Sequence, residues 1–207
     1  LSENLGIKYL MIPIEKAFTA IKDNMKEEFF GLKEDVTEEN MQARIRGNIL
    51  MALSNKFNYL VLSTGNKTEL ALGYCTLYGD MSGGLAVISD LSKHEVYNLA
   101  KLYNKIKFKE VIPRSSIKKI PSAELREGQF DPFDYLRISP LVDEIVENKR
   151  GKNELLKLGY KEEEINDVLT KIRNAEYKRK QAAPGIKVTK KAFGIGRKMP
   201  IVNNFRY

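Results

Sequence analysis

The sequence predicts an α/β fold, in which a parallel sheet carries helices on both faces and is followed by a mostly helical region and an extended basic tail. Three apolar runs of strand length, at 7–14, 59–63 and 85–89, alternate with segments of helical spacing. Strands that alternate with helices in this way favour a parallel sheet covered on both sides. From residue 113 the chain becomes rich in proline, and helical patterns return near 140–149 and 162–180.

The first elements are predicted to be a strand and two helices. The run 7–14 is of strand length and is closed by Pro13, and residues 15–30 then show helical spacing. After a break, Thr37 is the predicted N-cap of a helix that continues to Asn55, because acidic residues follow it in the first turn. The apolar face of this helix comprises Met41, Ile45, Ile49, Ala52 and Leu53.

The next elements form a strand-turn-helix pair and a second strand with its helix. The run 59–63 leads directly into Thr64, Gly65 and Asn66, and a helix is expected to begin near Thr68. The glycine-rich loop 78–84 precedes the strand at 85–89. Ser92 and Glu95 then have the spacing of a capping box at the start of an amphipathic helix.

Three regions follow from this pattern. Residues 1–112 are predicted to be an α/β nucleotide-binding part, 113–181 a loop-rich and helical remainder of the same domain, and 182–207 an extended C-terminal arm. No run approaches the roughly 20 apolar residues of a membrane span, which predicts a protein without a membrane partner. The single cysteine, Cys75, cannot form an internal disulfide, and this is compatible with a cytoplasmic location. The first residue is Leu1, which suggests a fragment or a processed product.

The net charge of +8 is unevenly distributed. Residues 173–207 contain ten basic residues and one acidic residue, so this segment alone carries +9 and the rest of the chain −1. Such a tail could bind RNA, an anionic ligand at the protein's own active site or an acidic patch on a neighbouring subunit. Charge alone does not favour one of these three.

The turn after the second predicted strand is a candidate ligand site. Ligands of open parallel sheets bind beyond the carboxyl ends of the strands, where Thr64, Gly65, Asn66 and Glu69 are expected. Gly65 would let the backbone approach a ligand, Thr64 offers a hydroxyl, and Glu69 could hold a divalent cation beside phosphates. The alternative is a plain turn with a capping Thr68 and a solvated Glu69, and the pattern favours neither interpretation.

Two further candidates lie on helices. Asn40, Arg44 and Asn48 follow at intervals of four and share one helix face, from which Arg44 could bind a carboxylate or phosphate with two hydrogen bonds. A solvated polar face is the more common explanation of such a pattern. Lys93 stands in the first turn of its helix, where a cation is disfavoured unless an anion such as phosphate is bound nearby.

Other chemistries lack the residues that they need. His94 is the only histidine and Cys75 the only cysteine, so no zinc ligand set or cysteine-histidine pair exists. The triplet 82–84 (SGG) has neither the Lys-Ser/Thr ending of a Walker loop nor the spacing of a dinucleotide fingerprint. No stacking motif of an RNA-binding module is present, which argues against a nucleic-acid partner.

Four segments of the chain closely resemble the NAD synthetase family. They are Glu39–Leu53 (ENMQARIRGNILMAL), Leu62–Asp80 (LSTGNKTELALGYCTLYGD), Met81–Leu91 (MSGGLAVISDL) and Tyr177–Gly196 (YKRKQAAPGIKVTKKAFGIG). The resemblance extends over about residues 1–200. The third segment, with the loop before it, and the tail are more similar to the glutamine-dependent, two-domain branch than to the short ammonia-dependent branch.

The resemblance implies a fold, a reaction and a set of site residues. The implied fold is a Rossmann-like sheet of the adenine-nucleotide α-hydrolase type. The implied reaction uses ATP and Mg²⁺ to adenylate deamido-NAD, releases pyrophosphate and lets ammonia displace AMP, which gives NAD. The residues expected to bind deamido-NAD are Asn40, Arg44, Glu69, Tyr74, Cys75, Thr76, Leu77 and Lys178, and those expected to bind ATP are Thr64, Lys93 and Ser122. Glu69 is also the expected magnesium ligand, and no catalytic residue is expected beyond substrate positioning and charge stabilisation.

The chain departs from the family pattern in one motif. The family's Ser-Gly-Gly-x-Asp-Ser phosphate loop does not occur in the sequence, since Leu85 and Ala86 follow the triplet 82–84. We therefore expect little activity from this chain alone, and we expect the full-length enzyme to include a glutaminase domain that supplies ammonia. The family also implies a homodimer or higher homo-oligomer.

Two other functions stay open from the sequence. Another ATP-pyrophosphatase, such as a GMP synthetase or a tRNA-thiolating enzyme, would share the adenylation chemistry but not the motifs around Asn40, Arg44 and 73–80. A basic RNA-binding module would bind through residues 173–207, with an affinity that falls steeply as salt rises.

Overall fold

A computed structural model describes residues 1–126, 128–194 and 196–202. Within them the chain forms a small parallel sheet and many helices. The elements in chain order are α1 (Ser2–Leu5), α2 (Glu15–Asn24), α3 (Val36–Phe57), β1 (Leu62–Ser63), α4 (Lys67–Leu72), β2 (Leu85–Ala86), α5 (Lys93–Ile106), α6 (Arg114–Lys118), α7 (Tyr135–Val146), α8 (Lys152–Lys157), α9 (Glu162–Asn174) and α10 (Glu176–Arg179).

The sheet is parallel, as predicted, but short. Leu62 pairs with Leu85 and Ser63 with Ala86. An isolated parallel bridge joins Ala86 to Gly185 and places the start of the C-terminal arm beside β2. The two strands that the sequence predicted at 59–63 and 85–89 are therefore found, the first reduced to its last two residues and the second to its first two.

The predicted strand at 7–14 is wrong. These residues form neither helix nor strand, and no described strand pairs with them. Ile7, Tyr9, Leu10 and Met11 are exposed. A strand needs a neighbouring backbone to satisfy its N–H and C=O groups, and the described part of the chain supplies none here.

The end of α2 and the N-cap of α3 differ from the predictions. Helix α2 ends at Asn24 instead of reaching residue 30. Helix α3 is capped by Asp35, not Thr37, because the Asp35 carboxylate accepts from the Thr37 N–H and the Glu38 carboxylate accepts from the Asp35 N–H.

The helical region after residue 113 is also confirmed, with different bounds. Helix α7 begins at Tyr135, earlier than expected, and contains Pro140 in its interior. The predicted helix 162–180 is divided at Ala175 into α9 and α10. The described part of the chain after residue 181 has no helix and only isolated bridges. No helix among the described residues is long and apolar enough to cross a membrane.

The main hydrophobic core lies between α4, α7, α8 and α9. Its fully buried side chains include Leu141, Val142, Leu155, Ile165 and Ile172. Burial of each such side chain contributes about 1.5–3 kcal/mol. Because α4 is packed into this core, the loops at its two ends have a rigid support.

A buried ion-pair cluster fixes the start of α4. The Lys67 side chain is fully buried and pairs with Asp143, at 2.7 Å, and with Glu147, both on or at the end of α7. The adjacent Thr68 hydroxyl lies 2.8 Å from the Ser139 hydroxyl. These contacts hold the turn between β1 and α4 against α7.

Candidate functional site

A cavity of about 720 Å³ opens at the carboxyl end of β1. It lies between α3, the first turn of α4, the loop that follows α4, the start of α5, the loop around residues 122–131 and Lys178. Nine of the eleven predicted site residues line it, namely Asn40, Thr64, Glu69, Tyr74, Cys75, Thr76, Lys93, Ser122 and Lys178.

The other two predicted residues, Arg44 and Leu77, contact each other outside this lining. Arg44 is exposed, and its Nε donates to the Leu77 carbonyl at 3.2 Å. The four-residue spacing from Asn40 nevertheless places both side chains on the face of α3 that meets the loop after α4. The predicted residues are thus gathered in one region of the molecule.

The turn from β1 into α4 is set by a capping box. The Asn66 side chain accepts from the Glu69 N–H at 3.1 Å, and Glu69 Oε2 accepts from the Asn66 N–H at 3.0 Å. Asn66, not Thr68, is therefore the cap, since Thr68 is buried against α7. Thr64 is left exposed at the cavity, with its hydroxyl available to a ligand.

Glu69 uses its second carboxylate oxygen inside the cavity. Glu69 Oε1 lies 3.1 Å from the Tyr135 hydroxyl and 3.6 Å from Lys93 Nζ. Burial raises the pKa of the Glu69 carboxyl, against the Asn66 N–H and Lys93, which lower it. One oxygen of Glu69 thus serves the helix cap and the other the site.

Lys93 has partners that explain a cation at the start of α5. Besides Glu69, the ring of Tyr135 lies 5.4 Å from Lys93 Nζ and the ring of Tyr97 lies 6.0 Å away. Such contacts favour a cation at a position that the helix dipole disfavours. The ammonium group still lines the cavity, where a phosphate could approach it.

The sequence did not predict two residues beside Glu69, which are Asp131 and Tyr135. The Tyr135 hydroxyl lies 2.7 Å from Asp131 Oδ2 as well as 3.1 Å from Glu69 Oε1, and its one proton can be donated to only one carboxylate at a time. Asp131 lines the cavity, and its Oδ1 is buried without a hydrogen-bond partner among the described residues. Both residues lie more than 60 positions along the chain from Glu69, so no local spacing could reveal them.

The donor set beside Glu69 is chemically suited to magnesium. Mg²⁺ is normally bound through one or two carboxylates together with substrate phosphates and water. Glu69 and the unpaired oxygen of Asp131 supply that number of carboxylates. Over the described ranges, no group of three or more histidine, cysteine or acidic side chains is arranged to hold a metal by itself.

The loop 73–80, which follows α4, forms one wall of the cavity and is held by polar side chains from distant elements. Lys178 Nζ donates to the carbonyls of Gly73, at 2.8 Å, and Cys75, at 2.7 Å. The Thr76 hydroxyl donates to the Asn40 side chain at 2.7 Å. Asn40 and Lys178, together with Arg44, therefore contact the backbone or side chains of this loop, so a ligand would share these groups or replace their loop contacts.

Two ionisable groups of the loop 73–80, the Cys75 thiol and the Asp80 carboxyl, are buried in surroundings that favour their uncharged forms. Burial raises the pKa of the Cys75 thiol to about 12, so the thiol stays protonated at neutral pH and is a poor nucleophile. Burial also raises the pKa of Asp80, although its carboxylate accepts from the Thr76 N–H at 2.6 Å. Asp80 lines the cavity and is a further residue that the sequence did not single out.

Close backbone contact brings α3 against this loop. A Cβ added to Gly47 would lie 2.7 Å from the Tyr78 carbonyl oxygen and 2.8 Å from Ser82 Oγ. A Cβ on Gly79 would lie 2.9 Å from the Ala43 Cβ. The small residues on the two sides let the helix and loop approach to a distance that larger side chains would prevent.

Ser122 lines the cavity from the proline-rich loop before α7. Its hydroxyl oxygen accepts from the Glu124 N–H at 3.1 Å, and Glu124 has a φ of +53°. The hydroxyl proton remains free to donate to a ligand. Thr64, Lys93 and Ser122 thus line the same cavity as the loop 73–80.

Comparison with known proteins identifies one family. The family model described as NAD synthase matches residues 1–182. The glutamine-dependent NAD(+) synthetase of Thermotoga maritima is 49% identical over 100% of this chain and 36% of its own length. The chain therefore spans little more than a third of the length of the curated relatives that it matches.

Solved structures give the same result. The glutamine-dependent NAD+ synthetase of Acinetobacter baumannii, determined in complex with ADP, is 37% identical over 98% of this chain and 36% of that chain, with a TM-score of 0.56. The glutamine-dependent NAD(+) synthetase of Cytophaga hutchinsonii has a TM-score of 0.80 over 98% of this chain and 35% of that chain, at 20% identity, and this similarity shows the fold alone.

Proposed function

The chain belongs to the NAD synthase family, and from this membership we propose that it is part of a glutamine-dependent NAD⁺ synthetase. In this proposal the enzyme activates the nicotinate carboxylate of deamido-NAD with ATP and amidates it with ammonia. The observation that carries the proposal is the single cavity that nine of the eleven expected site residues line. An unrelated arrangement of the same residues would have scattered them over the surface.

The first half-reaction is the formation of an acyl adenylate. A carboxylate oxygen of deamido-NAD bonds to the α-phosphorus of ATP while the bond from that phosphorus to pyrophosphate breaks. Thr64, Lys93 and Ser122 are the residues proposed to bind ATP, and the Lys93 ammonium would offset phosphate charge. The A. baumannii relative was determined in complex with ADP, which supports nucleotide binding by this enzyme.

Glu69 and Asp131 are the residues proposed to hold Mg²⁺, which would neutralise phosphate charge when bound. Glu69 is well prepared for this role because its capping contact with Asn66 fixes the carboxylate in one orientation. Tyr135 contacts both carboxylates and keeps them facing the same part of the cavity.

The second half-reaction is amidation. Ammonia adds to the acyl carbon, AMP leaves and the nitrogen loses a proton, which gives the amide of NAD. Asn40, Arg44, Glu69, Lys178 and the residues 74–77 are proposed to bind the dinucleotide and hold the acyl carbon in place. Because the Cys75 thiol stays protonated, Cys75 is not proposed as a nucleophile, and positioning with charge stabilisation is proposed to supply the catalysis.

The wider organisation is proposed on the same basis. The short parallel pair β1–β2 would belong to a Rossmann-like sheet with helices on both faces, within an α/β part of residues 1–112, a helical remainder of 113–181 and an arm of 182–207. A glutaminase domain of the full-length enzyme would supply ammonia. Exposed apolar side chains of the N-terminal segment and of α3, such as Leu10, Met11, Leu50 and Met51, support assembly as a homodimer or higher homo-oligomer. We place this enzyme in the cytoplasm.

The proposal is tested by product analysis with the natural-length protein. Given deamido-NAD, ATP, Mg²⁺ and either ammonium or glutamine, it should form NAD, AMP and pyrophosphate in equal amounts. Hydrolysis of ATP to ADP, or AMP formation without any NAD, would contradict the proposal. Amidation or thiolation of a different substrate at the expense of ATP would favour another ATP-pyrophosphatase instead.

A further inference from the structure

Arg179, on α10, is a buried arginine whose five N–H donors are all used. Its Nη1 donates to the carbonyls of Leu70, at 2.9 Å, and Ala71, at 3.0 Å. Its Nη2 donates to the Ile172 carbonyl and to Glu176 Oε2, and its Nε donates to the same carboxylate oxygen at 3.1 Å. The side chain is 3% exposed, so these contacts replace water completely.

The partners of Arg179 belong to the ends of two helices. Leu70 and Ala71 lie in the last turn of α4, and Ile172 lies in the last turn of α9. Carbonyls at the end of a helix lack intrahelical partners and are stabilised by a nearby donor with positive charge. The planar guanidinium thus joins the end of α4 to the end of α9, and the Phe193 ring of the arm lies 4.6 Å from its central carbon.

The end of α4 leads directly into the wall of the cavity. Gly73, with a φ of +70°, is the C-cap, and a Cβ there would lie 2.7 Å from the Ala175 Cβ. The neighbour of Arg179, Lys178, donates to the carbonyls of Gly73 and Cys75. The loop 73–80 therefore rests on the junction of α9 and α10, which is the segment that Arg179 fixes.

We propose that Arg179 is a positioning residue for the deamido-NAD side of the cavity. It does not line the cavity, and it acts by locking α4 to the junction of α9 and α10. This lock keeps Lys178 and the loop 73–80 in the geometry that the dinucleotide requires. The inference rests on the proposed function. The hydrogen bonds of Arg179 involve none of the proposed ATP residues Thr64, Lys93 and Ser122, so we expect an effect that is selective for deamido-NAD.

The discriminating variant is Arg179→Lys in the natural-length protein. Lysine keeps the charge but has three donors on one nitrogen, so it cannot bridge the carbonyls of both helices and the Glu176 carboxylate at once. We expect the dissociation constant of deamido-NAD to rise about tenfold or more, since small misplacements of binding groups have effects of this size. The dissociation constant of ATP should stay within about twofold of the wild-type value. A twofold change corresponds to less than half of the binding free energy that a tenfold change represents.

Both constants are measured by titration calorimetry, with the melting temperature as a record of folding. Arg114→Lys is the matched control, because the Arg114 side chain is 81% exposed and pairs with Glu110 on the surface. It makes the same chemical change away from the cavity and should alter neither constant. If Arg179→Lys does not fold, Glu176→Gln replaces it, because an uncharged partner holds the guanidinium less firmly and should give the same selective effect.

The outcomes separate the inference from the proposed function. Failure of the wild-type protein to bind deamido-NAD overturns the proposed function and the inference with it. Wild-type binding of deamido-NAD that a folded variant retains within twofold overturns the positioning role alone. Equal weakening of both ligands also overturns it, because a general loss of structure would have that effect.

Discussion

At the scale of single residues, Glu69 connects local structure with the chemistry of the site. Its Oε2 completes the capping box of α4 with Asn66, and its Oε1 faces Tyr135 and Lys93 in the cavity. The sequence left two alternatives for this residue, a solvated side chain or a metal ligand. The structure shows that capping and exposure to the site are compatible, because they use different oxygens.

Replacement of Glu69 by glutamine tests the proposed magnesium role. The amide can still accept from the Asn66 N–H but carries no charge for a cation, so Glu69→Gln should raise the magnesium concentration needed for half-maximal NAD formation. The measurement is a magnesium titration of the rate at saturating ATP. Glu162→Gln is the control, since Glu162 pairs with Lys152 on the surface. An unchanged magnesium requirement in Glu69→Gln would count against the metal role.

Removal of the Arg44 side chain tests the dinucleotide face of α3. If Arg44 forms a charged hydrogen bond to deamido-NAD, Arg44→Ala should weaken binding by about 1.5–3 kcal/mol. Asn48→Ala provides the comparison, because Asn48 lies four residues further on the same helix and is not among the residues proposed to bind deamido-NAD. Titration calorimetry with deamido-NAD measures both variants, and equal affinity of Arg44→Ala and wild type would remove Arg44 from the site.

One local contact could be predicted from spacing, although the caps of α3 and α4 were not, and no long-range partner could be. The Ser92 and Glu95 capping box is confirmed because both partners lie within one helical turn. Tyr135 meets Glu69 only through the packing of α7 against α4, and Arg179 meets Leu70 across more than 100 positions. Periodicity carries no information about such pairs.

At the scale of elements, the site depends on how closely α3 approaches the loop 73–80 and the residues that follow it. Gly47 allows this approach, although glycine weakens a helix by about 1 kcal/mol relative to alanine. The Tyr78 carbonyl and Ser82 hydroxyl occupy the space that a methyl group would need. Glycine at position 47 thus lowers the stability of α3 but allows the close approach that shapes the cavity.

Gly47→Ala should therefore impair both stability and binding. The methyl group would force the loop to shift, and overpacking of this kind costs about 1–3 kcal/mol, more than the propensity gain. We expect a lower free energy of unfolding and about tenfold weaker deamido-NAD binding. Urea unfolding and calorimetry measure the two effects. Gly151→Ala is the control, with only Glu154 Oε2 at 3.9 Å from the added Cβ, and an intact affinity in Gly47→Ala would refute the close-approach argument.

The link between α7 and α9 predicts a pH dependence of stability. Arg137 Nη2 donates to Glu164 Oε2 at 2.6 Å, and this pair lowers the pKa of Glu164 from 4.5 to about 2. The pKa is depressed in the folded state, so the stabilisation is complete above 4.5 and is lost as the pH falls toward 2. Glu164→Gln should be less stable than wild type near neutral pH, and the difference should shrink over that acidic range.

Thermal unfolding of the wild type and Glu164→Gln at a series of pH values checks this expectation. Glutamine retains an oxygen for the Lys161 N–H, so the helix cap stays available in the variant. Glu163→Gln, one position away, is the comparison for loss of one acidic charge in the first turn of α9. A constant difference between wild type and Glu164→Gln at all pH values would exclude the ion pair as its source.

At the scale of the whole molecule, the alternation of strands and helices was a sound guide to the class of fold but not to its extent. The parallel pairing of β1 with β2 is confirmed, and the helical second half is confirmed with shifted ends. The predicted strand at 7–14 failed because an apolar run records a preference for burial, not the presence of a partner strand. Exposed side chains there leave a large apolar surface on the N-terminal part.

Nine of the predicted site residues line one cavity, while their binding roles stay predictions. A strand end followed by a capped helix places its polar residues at one edge of a sheet whatever the length of the strands. That rule singled out Thr64 and Glu69, and Lys93 was singled out as a cation in the first turn of its helix. The positions of Lys178 and Ser122 came from family resemblance, since nothing in their local sequence indicates that distant loops meet at this edge.

We propose that the cavity between α3, the loop 73–80 and Lys178 is the deamido-NAD site. A crystal structure of the natural-length protein saturated with deamido-NAD would show where the dinucleotide binds. We predict that the dinucleotide lies in this cavity, with Asn40, Arg44 and Lys178 within hydrogen-bond distance of it. Deamido-NAD bound elsewhere, with this cavity free of the dinucleotide, would contradict the claim.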